Sequence, residues 1–163
     1  MSYLTKPAVK RVRKALSDAG LTDTVIELDD TARTAEDAAR ATGAELGAII
    51  KSLVFLVGEQ PVLALVAGDY KCLTENLGRA LNLEGTVRKT DAAEVKAATG
   101  YTIGGVAPVG LEMDMPVVID VSLKRFDTLY AAAGHPHCVF PVTMAELKKL
   151  TGGIVSYNIA AQK

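Results

Sequence analysis

Apolar residues recur at helical spacing from Thr5 to Ala19, at Val9, Val12, Leu16 and Ala19, with Thr5 as the expected cap, Pro7 in the first turn and Gly20 as the stop. Val25–Leu28 then reads as a short strand. Thr34 opens a second helix over Ala35–Ala41, where Glu36 and Asp37 suit the positive end of the helix dipole and Gly43 ends the run. Two apolar stretches follow, Ile49–Val57 and Val62–Ala67, separated by Gly58-Glu59-Gln60-Pro61. Rich in β-branched residues and leucine, they predict a hairpin in the middle of a sheet. Leu73–Leu81 and Ala92–Ala98 read as helices with a short strand, Thr86–Arg88, between them. Pro116–Val121 is a further buried strand, and strands are expected near Leu129–Ala133 and Cys138–Val142. A helix from Thr143 to Leu150 closes the pattern before Gly152-Gly153. Strands and helices are interspersed without regular βαβ alternation, which predicts an α+β fold: a mixed, partly barrel-like sheet with flanking helices.

Composition narrows the class. The chain has 163 residues, so residues 1–163 are read as a single domain, and its 49% hydrophobic and 23% charged content supports a packed core and excludes disorder. Eighteen Lys and Arg against nineteen Asp and Glu leave a formal charge of −1, which excludes coating of nucleic acid by bulk charge. A local basic face stays open. Aromatics are only 5% with no Trp, too few for an extended base-stacking platform. Two cysteines, Cys72 and Cys138, form no disulfide framework and no zinc pattern. The basic N-terminal stretch lacks the apolar segment of a signal peptide, and the apolar stretch Ala48–Ala67 is broken by Lys51 and the Gly58–Pro61 turn. A soluble, cytoplasmic protein that touches no membrane is the expectation.

Four features carry candidate chemistry. Lys51 stands inside the apolar run Ile49-Ile50-Lys51-Ser52-Leu53-Val54-Phe55. It either reaches solvent at a strand start or occupies a polar cavity, where its charge fixes an anionic or hydroxylated ligand. The segment Thr99–Gly110 holds four glycines and Pro108. It is either a structural turn cluster or a loop whose backbone approaches a ligand and offers N–H groups to a carbonyl oxygen. It matches neither the dinucleotide-binding nor the P-loop spacing. Gly134-His135-Pro136-His137-Cys138 puts two histidines at a metal-like spacing on one face of an expected strand, but no second ligand cluster accompanies them, and no metal or cofactor is expected. Lys6, Lys10, Arg13 and Lys14 gather on one side of the first helix, either as a solvated face or as a contact for an RNA phosphate backbone. No Cys/His or Ser/His/Asp arrangement is recognisable, so a covalent nucleophile is not expected.

Lys51 in its strand, the Thr99–Gly110 loop and the Pro116-Val117-Val118-Ile119-Asp120 strand, in that order, closely resemble the YbaK/ProX family, relatives of the editing domain of bacterial prolyl-tRNA synthetase. The likeness runs from about Val25 to Leu150. It implies a compact mixed sheet with flanking helices and a hydrolase that deacylates mischarged aminoacyl-tRNA in trans. By that resemblance Lys51 matches the essential lysine, which holds the 3′-terminal adenosine or its phosphate. Gly104 and Pro108 match the ends of a Gly-x-x-x-Pro loop whose members Gly105, Val106 and Ala107 line the aminoacyl pocket, joined by Thr34, Gly134 and His135. The partner implied is the acceptor end of an aminoacyl-tRNA, with a synthetase or an elongation factor in transient complex.

In the cysteine-specific branch of that family a phenylalanine stands where this chain has Thr34, and a serine and an aspartate fall on Ala132 and Val139. These differences favour a pocket of different shape and polarity. Thr34 itself serves either as a ligand contact or as a helix cap. An already activated ester needs only placement of its carbonyl and a nearby water, together with exclusion of the correct amino acid by size. A second reading keeps the same residues for a different purpose, a catalytically silent module that binds an aminoacyl or nucleotide ligand. The sequence leaves open which amino acid and which tRNA are involved, and the oligomeric state.

Overall fold

The computed structural model describes residues 2–163. A single 3₁₀ turn, Tyr3–Thr5, precedes α1 (Pro7–Asp18). Pro7 sits at the first helical position and holds Lys6 extended (φ −63°, ψ 141°), so Lys6, not Thr5, is the N-cap and makes no side-chain cap bond. The Thr5 hydroxyl instead donates to the Ser2 carbonyl within the preceding turn (3.3 Å). After β1 (Ile26–Glu27) comes α2 (Ala35–Thr42), whose start is capped by Thr34 accepting from the Asp37 N–H (3.1 Å).

The expected hairpin is present as β2 (Ile50–Val57) and β3 (Gln60–Ala67), joined by a tight turn at Gly58-Glu59. β4 (Tyr70–Cys72), α3 (Leu77–Leu81), β5 (Val87–Lys89) and α4 (Ala92–Thr99) follow. Then come β6 (Val117–Asp120), β7 (Leu129–Ala132), β8 (Cys138–Val142), α5 (Met144–Thr151), β9 (Ile154–Ser156) and β10 (Ala160–Gln162). Reciprocal capping boxes, Asp91 with Glu94 and Thr143 with Glu146, fix the starts of α4 and α5. β4, β9 and β10 have no counterpart in the sequence reading. Each is three residues long and owes its conformation to pairing with a distant segment rather than to periodicity.

The strands make a five-stranded mixed sheet in the order β5-β2-β3-β6-β9, a three-stranded antiparallel sheet β1-β8-β7 and a two-stranded ribbon β10-β4. The expectation of a mixed α+β sheet with flanking helices holds; that of a partly barrel-like sheet does not. Among the described residues the sheets stay open: β2 and β7 pack near each other, but they are bridged by backbone pairing only just ahead of β2, between Ile49 and Tyr130. β3 is the centre of the core, with Val62 to Ala67 all fully buried. Alternation sends Leu63 and Leu65 to one face, against Val9, Val12 and Leu16 of α1. Val62, Ala64 and Val66 go to the other face, against Phe55, Leu77 of α3 and Ile159.

Gly134, in the turn before β8, ties α1 to the rest. It has φ +93°, and a Cβ there would lie 2.8 Å from the Ala8 carbonyl oxygen. Gly134→Ala is expected to lower stability by about 2 kcal/mol or more, combining left-handed strain of about 1–2 kcal/mol with displacement of α1. Gly152→Ala is the control, since Gly152 also has positive φ (+66°) but nothing within 4 Å of a new Cβ. Its cost should be the strain alone. Urea unfolding with an unchanged m-value checks both.

Candidate active site

β2 pairs with β3 along its whole length, but β5 covers its other side only at Phe55, Leu56 and Val57. The outer edge of the first half of the strand is left open, and a cavity of about 630 Å³ wraps around it. Strand alternation gives the cavity two sides. On one, Lys51 emerges near Cys72 and Lys163. On the other, Ser52 and Val54 face Val95, Val106, Ala132 and Val139. Thr34, Arg33 and Glu36 at the start of α2, and Gly104 of the glycine loop, complete the rim.

Lys51 is half-buried, and its ammonium donates to the Tyr70 carbonyl of β4. Burial, followed by repulsion from Lys163, pushes its pKa below the ordinary lysine value, while Cys72, Glu36 and Asp69 oppose that shift. Among the described residues no carboxylate forms an ion pair with it, so this cation is available to a ligand. The carbonyl that receives it is fixed from behind. Arg125 makes two hydrogen bonds to Asp69 (2.9 and 2.7 Å) and lies 4.9 Å from the Tyr70 ring centroid.

The glycine loop reaches the cavity only in part. Gly104, at φ +92°, and Val106 line it; Gly105, Ala107 and Pro108 are buried behind the wall. The Gly105 N–H donates to Thr102 (3.0 Å), whereas the N–H groups of Gly104 and Val106 make no hydrogen bond among the described residues. The loop is held from α1. Arg11 donates to the carbonyls of Thr99 (2.8 Å) and Gly110 (2.9 and 3.1 Å), and its guanidinium lies 4.7 Å from the centroid of the fully buried Tyr101. The Tyr101 hydroxyl in turn donates to the Val109 carbonyl (2.6 Å).

Gly134 and His135 also stand outside the cavity wall. The Gly134 N–H donates to the Gly105 carbonyl (2.9 Å), which buttresses the loop, and His135 stacks on Tyr3 (ring centroids 4.2 Å apart). His135 and His137 do not share a strand face, because Gly134 and Pro136 place them in the turn ahead of β8, with Tyr3 stacked on both rings. None of Lys6, Lys10, Arg13 and Lys14 lines the cavity. Arg13 is paired with Asp23 (2.7 Å) and Lys14 with Asp18 (2.7 Å), which leaves Lys6 and Lys10 as the uncompensated cations of that face.

Thr34 is the helix cap and also stands at the cavity rim. Ser52 was not singled out from sequence, although its Oγ is buried in the cavity wall without a hydrogen-bond partner. The signal was present: a Lys-Ser pair inside an apolar strand must send one polar side chain to each face. Lys71, Lys163 and Arg33 were also missed.

A cavity that offers a cation and hydrogen-bond donors suits hydrolysis of an ester that is already activated, and the fold around it is that of an editing domain. The chain belongs to the aminoacyl-tRNA editing domain family, whose model matches residues 29–150. Its class is therefore that of the deacylases that hydrolyse mischarged aminoacyl-tRNA. It is 34% identical to the uncharacterised protein YwhH of Bacillus subtilis over 145 residues, 88% of this chain and 91% of that one. A protein of Enterococcus faecalis named as a candidate Cys-tRNA(Pro)/Cys-tRNA(Cys) deacylase, EbsC, is 27% identical over 74% of this chain and 73% of its own. A crystal structure described as a candidate trans-editing enzyme for prolyl tRNA synthetase superimposes with a TM-score of 0.86 at 38% identity, over 93% of this chain and 96% of that one. Among the described residues no helix is long and apolar enough to cross a membrane.

Burial raises the thiol pKa of both Cys72 and Cys138 to about 11. Both are expected to stay protonated at pH 8 and to resist iodoacetamide in the folded protein, then to react fully in urea, as read by mass spectrometry. Rapid alkylation of native Cys72 would reinstate a nucleophile in the cavity.

Proposed function

We propose that this protein removes a small, uncharged amino acid, alanine before cysteine, from mischarged tRNA, with tRNA-Pro as the carrier and water as the nucleophile. The observation that carries the reading is the two-sided cavity: a lysine on one side of an open strand edge and small apolar side chains on the other. The Lys51 side takes the acceptor-end nucleotide, and Val106, Ala132 and Val139 surround the amino-acid side chain. Ala132 and Val139 stand opposite each other in the β7–β8 register, where the cysteine-specific branch of the family has polar groups. An apolar pair there favours a methyl over a thiol partnered by hydrogen bonds. The crystal structure described for prolyl tRNA synthetase supports the choice of tRNA.

In the reaction a water oxygen bonds to the ester carbonyl carbon, the carbon–oxygen bond to the ribose breaks, and the ribose hydroxyl leaves with a proton. The N–H groups of Gly104 and Val106, which make no hydrogen bond among the described residues, stabilise the carbonyl oxygen as it gains charge. Ser52 is the hydroxyl available to orient the attacking water. Pro108, Ala107, Gly105, Gly134 and His135 act as supports of the loop rather than as direct contacts. Lys6 and Lys10 extend the RNA contact along α1. A synthetase or an elongation factor is a transient partner, and the compartment is the cytoplasm.

Incubation with tRNAs charged with alanine, serine, cysteine and proline is expected to release alanine fastest and proline slowest. Lys51→Ala should lower kcat/KM on the preferred substrate about 10- to 100-fold, the range for loss of a charged hydrogen-bonding partner. No turnover on any of them, with tight tRNA binding retained, would sink the enzyme and leave the binding module. Ser52→Ala is expected to reduce kcat about 10-fold or more with KM and thermal stability unchanged, because the hydroxyl it deletes has no partner among the described residues. An unchanged kcat would remove Ser52 from the mechanism.

A further inference from the structure

The β10 strand lies beyond the residues matched by the family model, which end at 150. It nevertheless runs to the cavity. It pairs antiparallel with β4, placing Ala160 opposite Cys72, Ala161 opposite Lys71 and Gln162 opposite Tyr70, and the Lys163 N–H donates to the Asp69 carbonyl (3.2 Å). Lys163 is thereby anchored beside the Tyr70 carbonyl that receives Lys51. Lys71 and Lys163 both line the cavity, both are exposed, and among the described residues neither is ion-paired.

Lys51, Lys71 and Lys163 therefore line one cavity, and Lys163 is near enough to Lys51 to repel its charge. Among the described residues no carboxylate forms an ion pair with any of the three. Asp69 is taken by Arg125 through two hydrogen bonds, and Glu36 at the start of α2 acts on Lys51 only at a distance. Like charges held together by the strand pairing repel one another, and an anion bound among them offsets that cost. Lysine suits a phosphate as a compact point charge on a flexible stem, and two exposed lysines flanking a half-buried one present a track rather than a single socket. The rest of the lining is mostly apolar side chains, with Arg33 and Lys89 as its further cations.

We propose that Lys71 and Lys163, carried by the β4–β10 ribbon, form a phosphodiester subsite that grips the RNA backbone leading into the cavity, adding to the terminal-nucleotide contact of Lys51. The proposal rests on the reading of the substrate as an aminoacyl-tRNA, and it assigns the ribbon a role in affinity, not in the chemical step.

The test uses the full chain carrying Lys71→Gln, Lys163→Gln and both together. On mischarged tRNA the double variant is expected to raise KM about 10-fold with kcat within a factor of two, and to reduce the salt slope of log(kcat/KM) by about 0.7 for each lysine, the single-strand value per phosphate. Hydrolysis of an aminoacyl-adenosine, which has no phosphodiester, should be unchanged. An unchanged KM and slope on tRNA, or an equal loss on both substrates, overturns the subsite. Anisotropy titration of an uncharged CCA-ended RNA hairpin reads the subsite even if no aminoacyl-tRNA is hydrolysed. There the double variant must bind more weakly with a flatter salt dependence, and an unaltered titration overturns the proposal. If millimolar inorganic phosphate displaces the hairpin as fully from the double variant as from the unaltered chain, the lysines do not form the site and the assignment falls. Both positions are exposed, so the unfolding midpoint is expected to stay the same.

Discussion

The structure turns on the incomplete pairing of β2. Backbone groups of an antiparallel strand alternate between its two neighbours, and the Ile49 carbonyl accepts from Gly68 on the β3 side while the Gly58 N–H donates to Thr86 on the β5 side. Even-numbered residues of the strand therefore direct their N–H and C=O groups outward. β5 satisfies the last of them, and the Thr90 hydroxyl satisfies the Val54 carbonyl (2.8 Å). What remains around Ser52 is a strand edge whose main-chain polar groups need water or a ligand. The cavity thus gains main-chain donors and acceptors from a gap in the sheet, at no cost to the core, because Val62 to Ala67 of β3 stay fully buried on its far side.

Everything else at the cavity is positioned by contacts made elsewhere. α1 contributes no wall residue, yet Arg11 holds three carbonyl hydrogen bonds of the glycine loop and covers Tyr101, so the helix fixes where Gly104 and Val106 lie. Gly134 lets the same helix approach the β7–β8 turn closely, and its N–H clamps the loop again at Gly105. On the lysine side, the Arg125–Asp69 pair holds the turn between β3 and β4 and with it the carbonyl that receives Lys51. Hydrogen bonds to a fixed backbone carry the geometry, which leaves the cavity side chains free to be chosen for substrate rather than for stability.

The parts of this arrangement that were legible in the sequence are those written in local pattern. The β2–β3 hairpin, the capped start of α2, α4 with its flanking Gly100, and β8 all follow from periodicity and caps, and each is present within a residue or two of its expected bounds. Lys51 stood out because an ammonium in an apolar strand needs a reason. What could not be read was whatever depends on distant pairing. β4 and β10 are three residues each and carry no period, so neither their ribbon nor the arrival of Lys163 beside Lys51 had a local signal. The Thr99–Gly110 loop was legible as a ligand-facing segment but not residue by residue, since which of its members turn inward is decided by Arg11 and Gly134. The basic face of α1 was legible as composition only; Asp23 and Asp18, which neutralise half of it, approach from the following turn and from the helix itself.

The formal charge of −1 and the scarcity of aromatic rings fit this division of labour. A protein that tracked RNA by bulk charge or stacking would hold any strand, correctly charged or not, and would gain nothing from an editing pocket. Here Lys51 lies on one face of β2, while the other face, one residue away at Ser52, looks toward Val106, Ala132 and Val139. Adjacent residues of a β-strand cannot exchange faces without a register shift that would unpair the β2–β3 ladder. On the proposed reading, affinity for the nucleotide and selectivity for the acyl group are therefore separable by substitution yet fixed in relative position, so side chains on the apolar face would change the amino acid admitted while the RNA end stays in place.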